Sequence, residues 1–342
     1  MKAKRIVSIL LTGSMLLSLL PVSALAAAPV FDAPAQTTAK KAAPLVQEAD
    51  VSRSTEEEAA TRSSRDLDAE NNTAESITID LDAKGNPTSQ GDVAHWYYNA
   101  TALFLNSGTF TLQPSSEPGA ASALQPGLFI KRSAEFKGGT AGNWTTNRGT
   151  ISGGTFQGEA SNRGTISGGT FEKKVLLMNG DASITISDGL FDGVVVNKGR
   201  YGSLSITGGL FTKDVDVYTI STGNLSITGG YFVAKPIMPQ GSNTGFATVR
   251  DQNGRTFQVP VNEDFSENGY GTLYVPHGTS EQANPITVKT DTVLTDCLAD
   301  GESIMDSVQQ NADGSYTIEV SQPKSIVLVT AEPTPPTLDD SE

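Results

Sequence analysis

A six-residue phrase that returns five times between residues 150 and 232 constrains the fold of this chain more than any other feature. Its copies are ISGGTF (151–156), ISGGTF (166–171), ISDGLF (186–191), ITGGLF (206–211) and ITGGYF (227–232). They begin 15, 20, 20 and 21 residues apart. Repeats of this length are typical of a solenoid, because one repeat alone buries almost nothing and neighbouring repeats must stack to form a core.

The residue types within the phrase predict which side chains face inward. Side chains alternate along a strand, so Ile184 and Ile186 point the same way, and the Gly pair allows a corner before the Phe re-enters the interior. Stacking then places Ile on Ile and Phe on Phe in parallel sheets with strands ~4.8 Å apart. We therefore expect a buried column of phenylalanines, namely Phe156, Phe171, Phe191 and Phe211.

A second repeated segment, Asn-Arg-Gly-Thr-Ile, begins at Asn147 and again at Asn162. The identity of the two copies places Asn147 over Asn162 at a corner. Stacked amides can hydrogen-bond side chain to side chain along the repeat axis. The sequence therefore predicts an Asn147–Asn162 hydrogen bond.

The N-terminal segment predicts export. Residues 1–26 carry a basic start, an apolar run and Ala-Leu-Ala, the pattern of a signal peptide and its cleavage site. The apolar run is short for a membrane span and no second run exists, so we expect no membrane span and a secreted, extracellular protein that is either free or associated with the cell surface. Residues 27–75 are rich in Ala, Thr, Ser and Glu and predict a disordered linker.

Charge and cysteine content narrow the function classes. The chain has 24 Lys and Arg against 38 Asp and Glu, a formal charge of −14. Such a surface disfavours nucleic acid as a partner. The single cysteine, Cys297, cannot form an intramolecular disulfide, so stability must come from packing and sheet hydrogen bonds, with this thiol buried.

The remaining sequence divides into three parts. Alternation begins at Ser76, and looser echoes of the phrase at 105–110 and 124–129 predict irregular N-terminal cap coils within a parallel β-helix over 76–240. Longer alternating runs with Asn-Gly and Asp-Gly turns predict an antiparallel β module or C-terminal cap over 241–331. Residues 332–342 form an acidic, Pro-rich tail. The predicted class is all-β: a right-handed parallel β-helix, or solenoid, followed by a small antiparallel β module.

Residues 151–232 resemble the Gly-rich right-handed parallel β-helix repeats of bacterial secreted, adhesin-like proteins. They are distantly similar to the pectate-lyase-like superfamily, which shares that fold. The resemblance implies a right-handed coil and an adhesive or structural role at a bacterial surface. The pectin-degrading relatives use Asp pairs, or a basic residue with calcium-binding carboxylates. The repeats contain neither Asp-Asp nor Gly-His-Gly, so no catalytic residue is carried over.

The position after each Phe offers the one candidate catalytic pair, Glu172 and Asp192. Stacking would bring the two carboxylates to about one strand spacing, near the ~5 Å of a retaining glycosidase, and would also suit Ca²⁺, which takes oxygen ligands. Lys173, Lys174 and Lys213 lie beside them, which favours an ordinary solvated charge network instead. A polysaccharide lyase or glycoside hydrolase is therefore the least favoured function.

Aromatic residues offer a second candidate site. Trp96, Tyr97, Tyr98 and Trp144 lie early in the predicted β-helix, where exposed rings would stack on sugars. The competing interpretation is that the rings cover the open end of the solenoid, since an uncovered sheet edge invites association. The sequence favours the cap, above all for Trp96.

Together these patterns favour a non-catalytic secreted or cell-surface β-helix protein with an adhesive or structural role. A glycan-binding module is the second hypothesis and a polysaccharide-degrading enzyme the third. The expected partner is a glycan or another component of a host or cell surface.

Overall fold

The computed structural model describes residues 75–180, 182–279, 281–322 and 324–333. The predicted signal peptide, nearly all of the predicted linker and most of the tail lie outside these residues. The only helical segments in the described ranges are two 3-10 turns, Thr222–Asn224 and Met305–Ser307. The all-β prediction is confirmed.

The strands fall into an earlier and a later group. The earlier strands are β1 (Ser76–Leu81), β2 (Trp96–Tyr98), β3 (Ala102–Pro114), β4 (Ala123–Leu124), β5 (Gly127–Gly138), β6 (Thr140–Ala141), β7 (Thr145–Asn147), β8 (Thr150–Ile151), β9 (Thr155–Phe156), β10 (Ala160–Asn162), β11 (Thr165–Phe171), β12 (Val175–Leu177), β13 (Ile184–Phe191), β14 (Val195–Asn197), β15 (Leu204–Phe211), β16 (Val215–Asp216) and β17 (Leu225–Phe232). The later strands are β18 (Phe246–Asp251), β19 (Phe257–Gln258), β20 (Pro260–Val261), β21 (Asp264–Phe265), β22 (Thr272–Pro276), β23 (Asn284–Thr290), β24 (Leu294–Ala299), β25 (Glu302–Ser303), β26 (Gln309–Gln310), β27 (Tyr316–Val320) and β28 (Ser325–Thr330).

A large mixed sheet with many parallel strands contains the whole earlier group. Successive repeats pair in parallel with the register that the phrase predicts, so that Ile166 is opposite Ile186 and Phe171 is opposite Phe191. A second run of parallel pairs joins β7, β10, β12, β14 and β16, with Val175 opposite Val195. Both runs contribute to one continuous hydrophobic core.

The phenylalanine column is buried and stacked. Neighbouring rings from Phe156 to Phe232 have centroids 4.6 to 4.9 Å apart and interplanar angles of 4 to 8°. Each ring is at most 1% exposed. The Gly two residues before the Phe of every phrase has φ between 91 and 126°, which only Gly adopts without strain, so these glycines form the corner before each Phe.

The predicted asparagine contact is present. Nδ2 of Asn147 donates to Oδ1 of Asn162 at 2.7 Å, and both side chains are 1% exposed. Asn147 Oδ1 also accepts from the Gly149 backbone N–H at 3.0 Å. These buried amides therefore fix the corner that follows β7 and β10.

Irregular strands precede the repeats in the large sheet. β1 pairs in parallel with β3, while β2 runs antiparallel to β3 and sets Trp96 opposite Leu105. Trp96 is 7% exposed and packs in the main core. This burial is what the cap interpretation of Trp96 predicts.

The later strands form a second core between two sheets. β22, β18, β28 and β24 belong to the large sheet, and β19, β23, β27 and β26 form a separate one. All of these pairings are antiparallel except that of β18 with β28. Cys297 is fully buried there, and desolvation, helped by the nearby Asp296 carboxylate, raises the pKa of its thiol to about 12.

The two predicted Gly turns have different outcomes. Asp313-Gly314 joins β26 to its partner β27, as a hairpin turn should. Asn253-Gly254 connects β18 to β19, which lie in different sheets, so the hairpin expected there is not formed. Gly254 has a φ of 71°, so the local turn is formed. The pairing partners of β18 and β19 are determined by packing in the second core.

The second core packs on the outer face of the last repeats. Leu190, Leu210 and Tyr231 are opposite one another on β13, β15 and β17, and they contact the second core rather than the first. The Tyr231 hydroxyl donates to the Thr287 carbonyl at 3.0 Å and accepts from the Thr287 N–H at 2.9 Å. Burial of this hydroxyl raises the Tyr231 pKa to about 12.

Candidate functional site

The predicted carboxylate pair has the expected register but an open setting. Glu172 and Asp192 follow Phe171 and Phe191, which are opposite each other, and both carboxylates are exposed. Asp192 Oδ1 accepts from the Thr212 hydroxyl at 2.6 Å and lies 3.7 Å from Lys213 Nζ. Chemically this is a solvated charge network, since nothing desolvates either carboxylate.

The described residues offer no metal centre. They contain no group of three or more His, Cys, Asp or Glu side chains placed to hold an ion. Glu172 and Asp192 alone would supply at most two carboxylates, fewer than the six to eight oxygen ligands that Ca²⁺ takes.

A half-buried acid lies where the repeats meet the second core. Burial raises the pKa of Asp188, and the Glu263 carboxylate raises it further, while N–H donors from Gly189 and Asn262 lower it. The surrounding pocket, of about 360 Å³, is lined by repeat glycines and by the β20–β21 turn. The charged form of Asp188 is therefore disfavoured by its burial between the repeats and the second core.

The four aromatic candidates occupy three different environments. Trp96 is buried in the core, and Tyr98 is half-buried with its hydroxyl donating to Asn86 Oδ1 at 3.0 Å. Tyr97 and Trp144 lie instead on the outer face and belong to one row of rings. Only these two remain available to a ligand.

We call this set the aromatic row: Tyr97, Phe104, Phe129 and Trp144. Tyr97 stacks on Phe104 at 4.6 Å and 6°, and Phe104 stacks on Phe129 at 5.2 Å and 8°. Trp144 meets Phe129 at 5.5 Å and 84°. The three stacked rings cover one another's faces and present mainly edges to solvent, whereas the indole is turned by a right angle.

Trp144 lies flat against the backbone of Gly127. A methyl group on Gly127 would stand 2.2 Å from the indole ring, so only Gly permits this approach. The indole is 39% exposed and meets the Phe129 ring at a right angle. A flat, supported indole of this kind can stack on the apolar face of a sugar ring.

Two members of the row, Phe104 and Phe129, were missed by the sequence prediction. The echo LQPGLF suggests an inward Phe129, but the register sets Leu128 and Ile130 inward and Phe129 outward, opposite Phe104. The available signal was alternation: two large apolar residues, Leu128 and Ile130, flank Phe129 and already fill the inward positions.

A cation lies beside the row. Lys131, two residues after Phe129, places its Nζ 5.7 Å from the centroid of the Tyr97 ring. At this distance the ammonium is attracted by the ring face. Lys131 therefore adds a positive charge beside the Tyr97 end of the row.

Comparison with known proteins gives no relative from which to transfer a function: no family model, curated protein or solved structure matches this chain. Over the described residues, the structure has no helix of the length and apolarity needed to span a bilayer. The function is therefore argued from the site.

Proposed function

We propose that the chain winds as a right-handed parallel β-helix and acts as a non-catalytic secreted or cell-surface protein with an adhesive role. The fold proposal is supported by parallel pairing between successive repeats, with Ile on Ile and Phe on Phe around one core. Secretion is supported by the predicted signal peptide, residues 1–26.

The non-catalytic part of the proposal is supported by the setting of Glu172 and Asp192. Both of these carboxylates face water and neither lies in a cleft that would exclude water from a reaction. Asp192 is also occupied by Thr212 and Lys213. Release of reducing sugar or unsaturated product from a polysaccharide, abolished by Glu172→Gln, would overturn the proposal.

The adhesive contact that the geometry supports best is a carbohydrate stacked on Trp144. The observation that carries it is a 39% exposed indole packed closely against the backbone of Gly127 at the end of a row of aromatic rings. The stacked rings of Tyr97, Phe104 and Phe129 lie next to the indole and extend an apolar strip along the same surface. A rigid aromatic surface loses little conformational entropy when it binds.

A glycan array on the full chain, followed by affinity measurement on the best polysaccharide, tests this contact. Trp144→Ala should abolish retention, whereas Tyr201→Ala should not, because Tyr201 is an exposed aromatic outside the row. Gly127→Ala should weaken retention while keeping the indole, since the added methyl displaces the ring. Melting temperatures measured in parallel identify any variant that fails to fold.

Full retention by a folded Trp144→Ala variant would contradict the carbohydrate contact. An equal loss of retention in Trp144→Ala and Tyr201→Ala would also contradict it, because the loss would then not be specific to the aromatic row.

A further inference from the structure

Three arginines form a column beside the aromatic row. Arg148 and Arg163 follow the stacked residues Asn147 and Asn162, and their backbone N–H groups donate to the carbonyls of Ile130 and Asn147 at 2.8 Å each. Because successive strands are ~4.8 Å apart, Arg148 and Arg163 start from positions about one strand spacing apart. Arg132 lies in β5, two residues after Ile130, which is opposite Asn147.

The column lines a pocket of about 220 Å³. Its walls are Arg132, Arg148, Arg163, Met178, Gly180 and Ala182. In the next repeat Met178 takes the position of the arginine, and the small residues Gly180 and Ala182 leave the space open. The pocket therefore has a cationic wall formed by the three arginines.

No described carboxylate neutralises this column. Within the described ranges, no Asp or Glu oxygen lies within 4.0 Å of the three guanidinium groups, and these groups make no side-chain hydrogen bond. The same chain does pair stacked charges elsewhere, as with Asp192 and Lys213. Like charges opposite each other destabilise a sheet, so arginines stacked at one corner carry a repulsion that a bound anion would relieve.

The geometry points to a binding site for an anionic glycan, a polysaccharide whose sulfate or carboxylate groups lie along the Arg132–Arg148–Arg163 column. A guanidinium fork binds two oxygens of an oxyanion at once, which a lysine does not. A line of three forks in an open pocket suits repeated oxyanions on one polymer better than a single small ion. The net charge of −14 makes nucleic acid, with its dense phosphates, the weaker candidate.

This inference does not rest on the Trp144 contact. The arginine column recognises charge, so its binding depends on salt, whereas stacking of a neutral sugar on Trp144 does not. A variant that loses salt-dependent binding at the arginine column can therefore keep the binding of a neutral sugar on Trp144.

The test measures binding of the full chain to dextran sulfate and to unmodified dextran of the same length, with polygalacturonate as the carboxylate arm. We expect salt-dependent binding to dextran sulfate or polygalacturonate and none to dextran. Arg148→Gln and Arg163→Gln should each lower the affinity about 10-fold. Each should also reduce the slope of log affinity against log salt by about 1.

The matched control is Arg250→Gln, which makes the same substitution at an exposed arginine outside the column. It should leave affinity and salt slope unchanged.

Four results would overturn the inference. The first is equal affinity for dextran and dextran sulfate, and the second is an equal effect of Arg250→Gln and Arg163→Gln. The third is binding to single-stranded DNA as tight as to dextran sulfate, which would show a site selective for charge alone. Failure of all polyanions to bind would likewise overturn it.

Discussion

Phe191 tests the register of the repeats because it lies in the middle of the phenylalanine column. Its ring is fully buried and stacks on Phe171 at 4.9 Å and on Phe211 at 4.6 Å. Phe191→Ala removes the ring from between two neighbours whose backbones are held by parallel pairing on both sides. The site therefore cannot collapse easily to fill the space.

The expected loss in free energy of unfolding is ~3–5 kcal/mol, the range for Phe→Ala in a core that relaxes poorly. Part of this loss comes from the two stacked ring pairs, worth ~0.5–1.5 kcal/mol each beyond the area they bury. Phe191→Leu keeps most of the apolar volume and loses the stacking, so it should cost ~1–2 kcal/mol.

Urea unfolding followed by circular dichroism measures these losses as shifts of the midpoint at constant slope. The control is Tyr201→Ala, which removes a ring that is 78% exposed and should change stability by less than ~0.5 kcal/mol. If Phe191→Ala shifts the midpoint no further than Tyr201→Ala, the register described above is wrong.

Three further substitutions test other parts of the fold. Trp96→Ala should lower the melting temperature, with a loss of ~3–5 kcal/mol, and promote association seen by size exclusion, because it uncovers the N-terminal edge; an unchanged melting curve would contradict the cap. Tyr231→Phe leaves the Thr287 N–H and C=O without their partner and should cost ~1–3 kcal/mol in urea unfolding. The wild type should also lose stability as pH rises from 10.0, the ordinary tyrosine pKa, through the folded value of about 12, and equal alkaline loss in Tyr231→Phe would contradict this linkage. Asp188→Asn should raise the melting temperature at neutral pH, because a carboxyl whose pKa is raised on folding opposes folding once ionised, and the gain should vanish below the ordinary value of 3.8; a gain that persists in acid would have another cause.

The register between repeats could be predicted because the same residue types recur at the same spacing in every copy of the phrase. Each copy places an Ile, a Gly corner and a Phe at fixed spacing, so alignment of two copies already aligns Ile166 with Ile186 and Phe171 with Phe191. The Asn147–Asn162 hydrogen bond followed in the same way from two identical segments. In these cases the two contacting residues lie in successive repeats, so the prediction does not require knowing which distant segments pair with each other.

Contacts between unlike segments could not be predicted in this way. Asn253-Gly254 predicts a turn, but the core decides that β18 and β19 join different sheets. The burial of Leu210 under the second core has a weaker signal in the sequence. The residue before each Phe is Thr in the first two phrases and a large, mainly apolar residue in the last three, which indicates that the outer face is covered there.

The candidate site was only partly readable for the same reason. Tyr97 and Trp144 were named from the sequence, but their connection through Phe104 and Phe129 depends on a register that places LQPGLF out of phase with the main phrase. The support of the indole by Gly127 depends on a backbone approach that no sequence pattern specifies.

The most direct test of the proposed carbohydrate contact is the fluorescence of Trp144 itself. The chain has two tryptophans, so Trp96→Phe leaves Trp144 as the only indole. On titration with the polysaccharide selected by the glycan array, stacking on the exposed indole face should shift the emission to shorter wavelength and protect it from quenching by acrylamide. Saturable binding with unchanged emission and unchanged quenching would show that the glycan lies elsewhere and would contradict the proposal.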